Sequence, residues 1–182
     1  MSRSDSRTGV AAILAGALIF AGQGGELVFG STRNLVGGVY VVLWSAGVLA
    51  LGVALWGLRT VISGTRLGRI GMRLALVGLG LLVLFAIQVG VELIRTREIP
   101  ENFILFALGF LLVLVGQLLF ARDLRPTLGR AWLFPIIGVV GLLVALTAGD
   151  KLGPVHDVGL FVFEAAWIAI GVALLRVERG PI

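Results

Sequence analysis

The sequence predicts an all-α fold: one polytopic transmembrane domain over residues 1–182, with six membrane-spanning helices that read as three tandem hairpins. Three observations carry this. Hydrophobic residues make up 58% of the chain and charged residues only 14%, whereas a soluble domain is about one quarter charged. The apolar residues fall in blocks of about twenty, the length that spans about 30 Å of hydrocarbon at about 1.5 Å per residue. Most of the 27 glycines lie inside those blocks, where small residues let helix backbones approach.

Six spans follow in order: Val10–Phe29, Leu35–Leu58, Gly71–Ile94, Phe103–Ala121, Ala131–Ala148 and Val158–Leu175. The stretches between them are short and carry Ser, Thr, Arg, Gly and Pro, so none holds a separate domain. Arg3 and Arg7 before the first span resemble the charged start of a signal peptide, and Ala15-Gly16-Ala17 offers a cleavage-like pattern. The apolar stretch there is longer than the ~7–15 residues of a cleaved signal, and a retained first helix is expected. Pro135 falls in the first turns of the fifth span, where proline is tolerated. Trp56 and Trp132 sit near inner span ends, as an aromatic belt would place them. Trp44 and Trp167 lie deeper.

Arginine distribution predicts the orientation. With a cytoplasmic N-terminus, the inside segments hold Arg3, Arg7, Arg59, Arg66, Arg69, Arg73, Arg122, Arg125, Arg130, Arg176 and Arg179. The outside segments hold Arg33, Arg95, Arg97 and Lys151. Eleven against four follows the positive-inside rule. Both termini are then cytoplasmic, and the expected location is the inner, cell membrane. The net charge of +5 reads as topology, and nucleic acid is not an expected partner.

The spans resemble one another. Residues 45–55 and 164–174 match at six of eleven positions without a gap. Leu67-Gly68-Arg69 recurs as Leu128-Gly129-Arg130, and Gly80-Leu81-Leu82-Val83 recurs at the same offset as Gly141-Leu142-Leu143-Val144. Phe20-Ala21-x-Gln23 recurs as Phe85-Ala86-x-Gln88. A hairpin repeated three times in one orientation accounts for these matches; it is a parallel repeat and not an inverted one. Ala46, Ala50 and Ala54 form one small-residue stripe, and Ala165, Ala169 and Ala173 another. Residues four apart share a helix face, so both stripes are expected to pack against protein.

Three hairpins whose even helices end in a pattern such as Gly52-x-x-Leu55-x-x-x-Arg59 resemble the short-repeat membrane proteins linked to bacterial acid resistance. That family usually carries a proline in its hairpin turns, whereas Ser31-Thr32-Arg33-Asn34 has none. The resemblance implies the architecture alone.

Polar side chains inside a bilayer are costly and mark function by default. The first span carries Gln23 and Glu26 on one face, and the third carries Gln88 and Glu92 on one face. The second carries Tyr40 and the sixth Glu164. With these boundaries Gln23, Gln88 and Glu164 each lie six residues, about 9 Å, from an outer helix end. They read as one layer beneath Glu26, Glu92, His156 and Asp157, and as an outward-opening polar pocket. Glu164 is the sharpest member: a proton-coupling or ligand-binding acid with Gln23 and Gln88 as partners, or else a carboxylic acid bonded between helices for packing. Asp157 reads as the cap of the last helix, and Gln117 as an interfacial residue.

Enzymatic chemistry is not expected. There is no cysteine, one histidine and one lysine. No P-loop, HExxH or Gly-x-Ser-x-Gly is present. No local spacing supports a metal site among Glu26, Glu92, His156 and Glu164, and no cofactor is anticipated. Two classes remain. One is a structural or accessory protein whose partners are the lipid bilayer, another membrane subunit or a second copy of the chain. The other binds or carries a small solute, or couples to protons through Glu164. Its size and six spans resemble the substrate-binding membrane subunits of energy-coupling-factor vitamin importers, with Ala11-x-x-x-Ala15 as the docking stripe that resemblance implies.

Overall fold

A computed structural model describes residues 4–29, 35–59, 62, 64–95, 104–148 and 153–179; side chains are described for 6–25, 38–59, 62, 64–95, 104–145, 147 and 157–177. Among these residues the fold is all-helical. The helices are α1 (Ser4–Phe29), α2 (Leu35–Leu58), α3 (Arg66–Arg95), α4 (Ile104–Ala121), α5 (Arg125–Leu128), α6 (Phe134–Ala148) and α7 (Gly153–Arg179), with 3-10 turns at Arg122–Leu124 and Gly129–Leu133.

Five helical segments are long and apolar enough to cross a membrane, as in a multi-pass membrane protein: Ser6–Gly25, Gly38–Leu58, Arg66–Arg95, Ile104–Ala145 and Asp157–Val177. The count is five where the sequence predicts six. The polar stretch taken as a loop, Arg122–Leu133, is itself helical. It joins the fourth and fifth expected spans into one 42-residue run, about 63 Å of helix, or twice the hydrocarbon thickness. That run is not one straight rod. Pro126 lies in the first turn of α5, and Gly129 ends α5 at φ +55, a backbone region that favours glycine.

Large apolar side chains cover the outside. Val42 is 66% exposed, Val158 59% and Val77 57%. Such a surface aggregates in water and suits hydrocarbon. The inside is a continuous cluster of Leu51, Leu55, Leu114, Phe120, Trp167 and Ile170 with their neighbours.

Antiparallel pairs build the bundle: α1 with α2, α3 with α4, α6 with α7, and then α7 against α1. Glycines set these seams, because lipid supplies no hydrophobic drive between helices and close packing must do so. A Cβ added to Gly78 would lie 2.5 Å from the Gly109 carbonyl oxygen, and one on Gly109 2.9 Å from that of Gly78. Gly141 and Gly159 face one another in the same way between α6 and α7. Gly171 meets the Gly9 carbonyl between α7 and α1.

The alanine stripes behave unequally. Ala54 is fully buried, whereas Ala46 and Ala50 are half-buried. Ala165 is exposed, and Ala169 and Ala173 are half-buried. On α7 the face against α1 is formed instead by Glu164, Ile168, Gly171 and Leu175. Positions matched by the repeat also differ in surroundings. A Cβ on Gly80 would meet open space, whereas one on Gly141 would strike Val162 and the Gly159 carbonyl.

One polar clasp stands out at the end of the bundle where α3 begins. The Thr65 hydroxyl accepts the Gly68 N–H (2.9 Å) and donates to Asp123 (2.9 and 3.0 Å), while the Thr65 N–H donates to the same carboxylate at 3.2 Å. This is a helix N-cap reinforced from the far end of α4. It explains why α3 starts at Arg66, five residues before the expected Gly71.

Candidate functional site

The site is built on α7. This helix begins at Gly153, five residues before the expected Val158. Pro154 suits a first turn because its missing N–H is not needed there. Two corrections follow. Asp157 is the fifth residue of the helix and does not cap it. Glu164 is the twelfth of 27 residues, about 16 Å from the Gly153 end and near the middle of the bundle.

Glu164 is 1% exposed. Neither carboxylate oxygen has a hydrogen-bond partner among the described residues. The helix opposite is held close: Gly16, at the midpoint of α1, would place a Cβ 2.5 Å from the Glu164 carbonyl oxygen. One turn toward the Gly153 end of α7 the rings of Phe20 and Phe161 lie 4.8 Å apart. Burying a carboxyl group without a donor is expensive, so the arrangement is not the interhelical hydrogen bond that packing alone would favour.

The level layer of Gln23, Gln88 and Glu164 is not what forms. Gly16 lies opposite Glu164, which puts Gln23 seven residues, about 10 Å, further toward the Phe29 end of α1. Gln23 is half-buried, and its Oε1 is buried without a partner among the described residues. Helical side chains lean toward their own N-terminus. In this antiparallel pair Gln23 therefore leans toward the Ser4 end of α1 and Glu164 toward the Gly153 end of α7, which brings the two side chains toward one another along the axis. Gln88 and Glu92 are half-buried near the Arg95 end of α3. The Tyr40 ring occupies the space beside Gly25 on α1. The side chains of Glu26 and His156 lie outside the described residues. Among the described residues no three metal-ligating side chains gather.

Gln117 departs furthest from expectation. It is fully buried, and both its Oε1 and Nε2 lack partners among the described residues. Helical structure continues past Ala121 through Arg122–Leu133, so the bundle does not end where the apolar block does. Gln117 therefore lies inside it and not at an interface. Three apolar neighbours on one face were the available signal: Phe110, Val113 and Leu114 precede it by one or two turns.

Aromatic side chains tie the helices together around this level. Ring centroids are 6.3 Å apart for Trp44–Phe85, 5.3 Å for Phe85–Phe106, 4.7 Å for Phe106–Phe110 and 6.2 Å for Phe110–Phe163. This chain runs from α2 through α3 and α4 to the residue beside Glu164. Trp167, one turn further on α7, is 2% exposed. Trp56 is exposed and stacks under the Arg59 guanidinium at 4.0 Å. Ala11 and Ala15, the stripe considered for docking, are 7% and 0% exposed inside the bundle and offer no outer face. A groove of about 580 Å³ lies between α6 and α7 and is lined by Ile137, Val140, Val144, Val158 and Val162 around Gly141 and Gly159. Val162 faces the far side of α7 from Glu164, so this groove and the buried acid are separate.

Compared with protein-family models, curated proteins and solved structures, the chain matches none of them.

Proposed function

We propose that this chain is a non-enzymatic protein of the inner, cell membrane, that it crosses the bilayer six times with both termini in the cytoplasm, and that it binds or transports a small solute or a proton at Glu164. The observation that supports the role of Glu164 is a carboxylate 1% exposed with no donor among the described residues. An ionisable group so placed is a functional candidate by default. Six crossings are supported by the length of the 42-residue run and by its break at Gly129. They are also supported by its two halves, which pack on different partners, α4 on α3 and α6 on α7. The arginine excess supports the orientation.

An accessory, structural role is the second reading. It is favoured by seams set at backbone contact by Gly9, Gly78, Gly109, Gly141 and Gly171, and by an interior occupied by rings.

Native mass spectrometry on protein extracted gently from its membrane separates the two. A small molecule retained with the wild type and lost in Glu164→Gln, at equal expression, is the expected result. Only homo-oligomers, lipid or a second protein in both samples would favour the accessory role.

A further inference from the structure

We infer that protons cross this bundle along a file of polar side chains, the half-buried Gln23 and the buried Glu164 and Gln117, with Glu164 as the group that carries the charge. The inference rests on the reading of Glu164 above and names its ligand.

The antiparallel register sets the depths. Glu164 lies opposite Gly16 at the middle of α1. Gln23 is seven residues outward from Gly16. The Phe110–Phe163 ring contact brings α4 level with α7 at Glu164, and Gln117 is seven residues inward from Phe110. The three groups are thus staggered at about 10 Å intervals along the bundle axis. Among the described residues each keeps unfilled hydrogen-bonding capacity: Oε1 of Gln23, both oxygens of Glu164, and Oε1 and Nε2 of Gln117. Water recruited by buried polar groups in that condition would link the stations and relay protons between them.

Charge chemistry selects the proton over a metal ion. Hard cations take about six or more oxygen ligands, and no cluster of three acidic or histidine side chains forms among the described residues. Glu164 also stands alone electrostatically. On the helices around it, residues 8–25, 38–58, 104–121 and 134–145 contain one titratable side chain, Tyr40. On α7 itself Asp157 lies two turns outward on the same face, half-buried, at the outer mouth of the file. No neighbouring base or acid among these holds Glu164 in one state.

The test uses the full chain in phosphatidylethanolamine–phosphatidylglycerol vesicles containing a pH-sensitive dye, with a potassium gradient and valinomycin driving proton entry. The wild type should acidify the vesicles at least ten-fold faster than protein-free vesicles. Glu164→Gln should fall to the protein-free rate, Glu164→Asp should keep part of the flux, and Gln117→Leu should lose most of it. Wild-type flux no greater than that of empty vesicles overturns the file; if a small molecule is still retained through Glu164, the binding reading stands without it. Undiminished flux in folded Glu164→Gln overturns it as well. Undiminished flux in Gln117→Leu overturns the inner half of the path.

Discussion

Two of the seams that join one hairpin to another in this bundle are made differently. Between α1 and α7 backbone meets backbone: Gly171 against the Gly9 carbonyl at 2.5 Å and Gly16 against the Glu164 carbonyl at 2.5 Å, each measured to the position of an added Cβ. Between α2 and α3 a glycine meets only the end of a side chain, Gly52 against Leu79 Cδ2 at 2.6 Å, and the tryptophan at Trp44 stands edge-on to Phe85. The first seam has no give, because neither partner can rotate away. The second can adjust by a change of rotamer. α7 is held in the first way on two sides, by α1 and by α6, so Glu164 rides on a tightly gripped helix. A preorganised group needs such a scaffold.

Substitution at these seams tests the difference. The largest effect is expected from Gly16→Leu, which drives a side chain into α7 backbone: overpacking of this kind costs about 3 kcal/mol. It should be read as a lowered midpoint for unfolding in detergent, with loss of the native elution peak. Wild-type stability in that variant would mean that the α1–α7 contact is looser than described. Asp123→Ala comes next. It removes the carboxylate that holds Thr65 and should cost about 1 kcal/mol, in the range of a lost cap, with faster amide exchange confined to the first turn of α3. Gly52→Ala and Gly80→Ala close the series. The first should be nearly neutral, since Leu79 can move. The second faces open space and should raise stability by about 0.5–1 kcal/mol through helix propensity. A Gly52→Ala loss as large as that of Gly16→Leu would erase the distinction between the seams.

Hydropathy alone made the apolar blocks legible, because about twenty uninterrupted apolar residues have few alternatives to a spanning helix. Ends were harder. The starts of α3 and α7 lie five residues before the apolar blocks. Thr65 caps α3 with the help of a residue 58 positions away, and Gly153-Pro154 opens α7 with no acidic residue in its first turn. That second error carried into the site, since it made Glu164 shallow and level with Gln23. Arg122–Leu133 contains Pro126 and Gly129, punctuation that reads as a loop, yet its residues keep helical turns. The stripes failed for another reason. Alanines four apart define a face but not what lies against it, and Ala165 faces outward while glycines form the contact. Glu164 was visible as a lone acid in an apolar block. That it lacks a donor, and that Gln117 does too, emerges only once the helices are assembled.

The clasp at Thr65 also bears on how the chain is made. The hydroxyl can accept the Gly68 N–H as soon as those residues leave the ribosome, but Asp123 is synthesised 58 residues later. Until then Thr65 has its local bond and nothing to hold it from the other side. α3 therefore enters the membrane with its first turn half-secured, and the arrival of α4 completes it. The second hairpin thus finishes assembly as a unit, and a chain interrupted between the two helices would leave α3 frayed at the end that meets the aqueous phase.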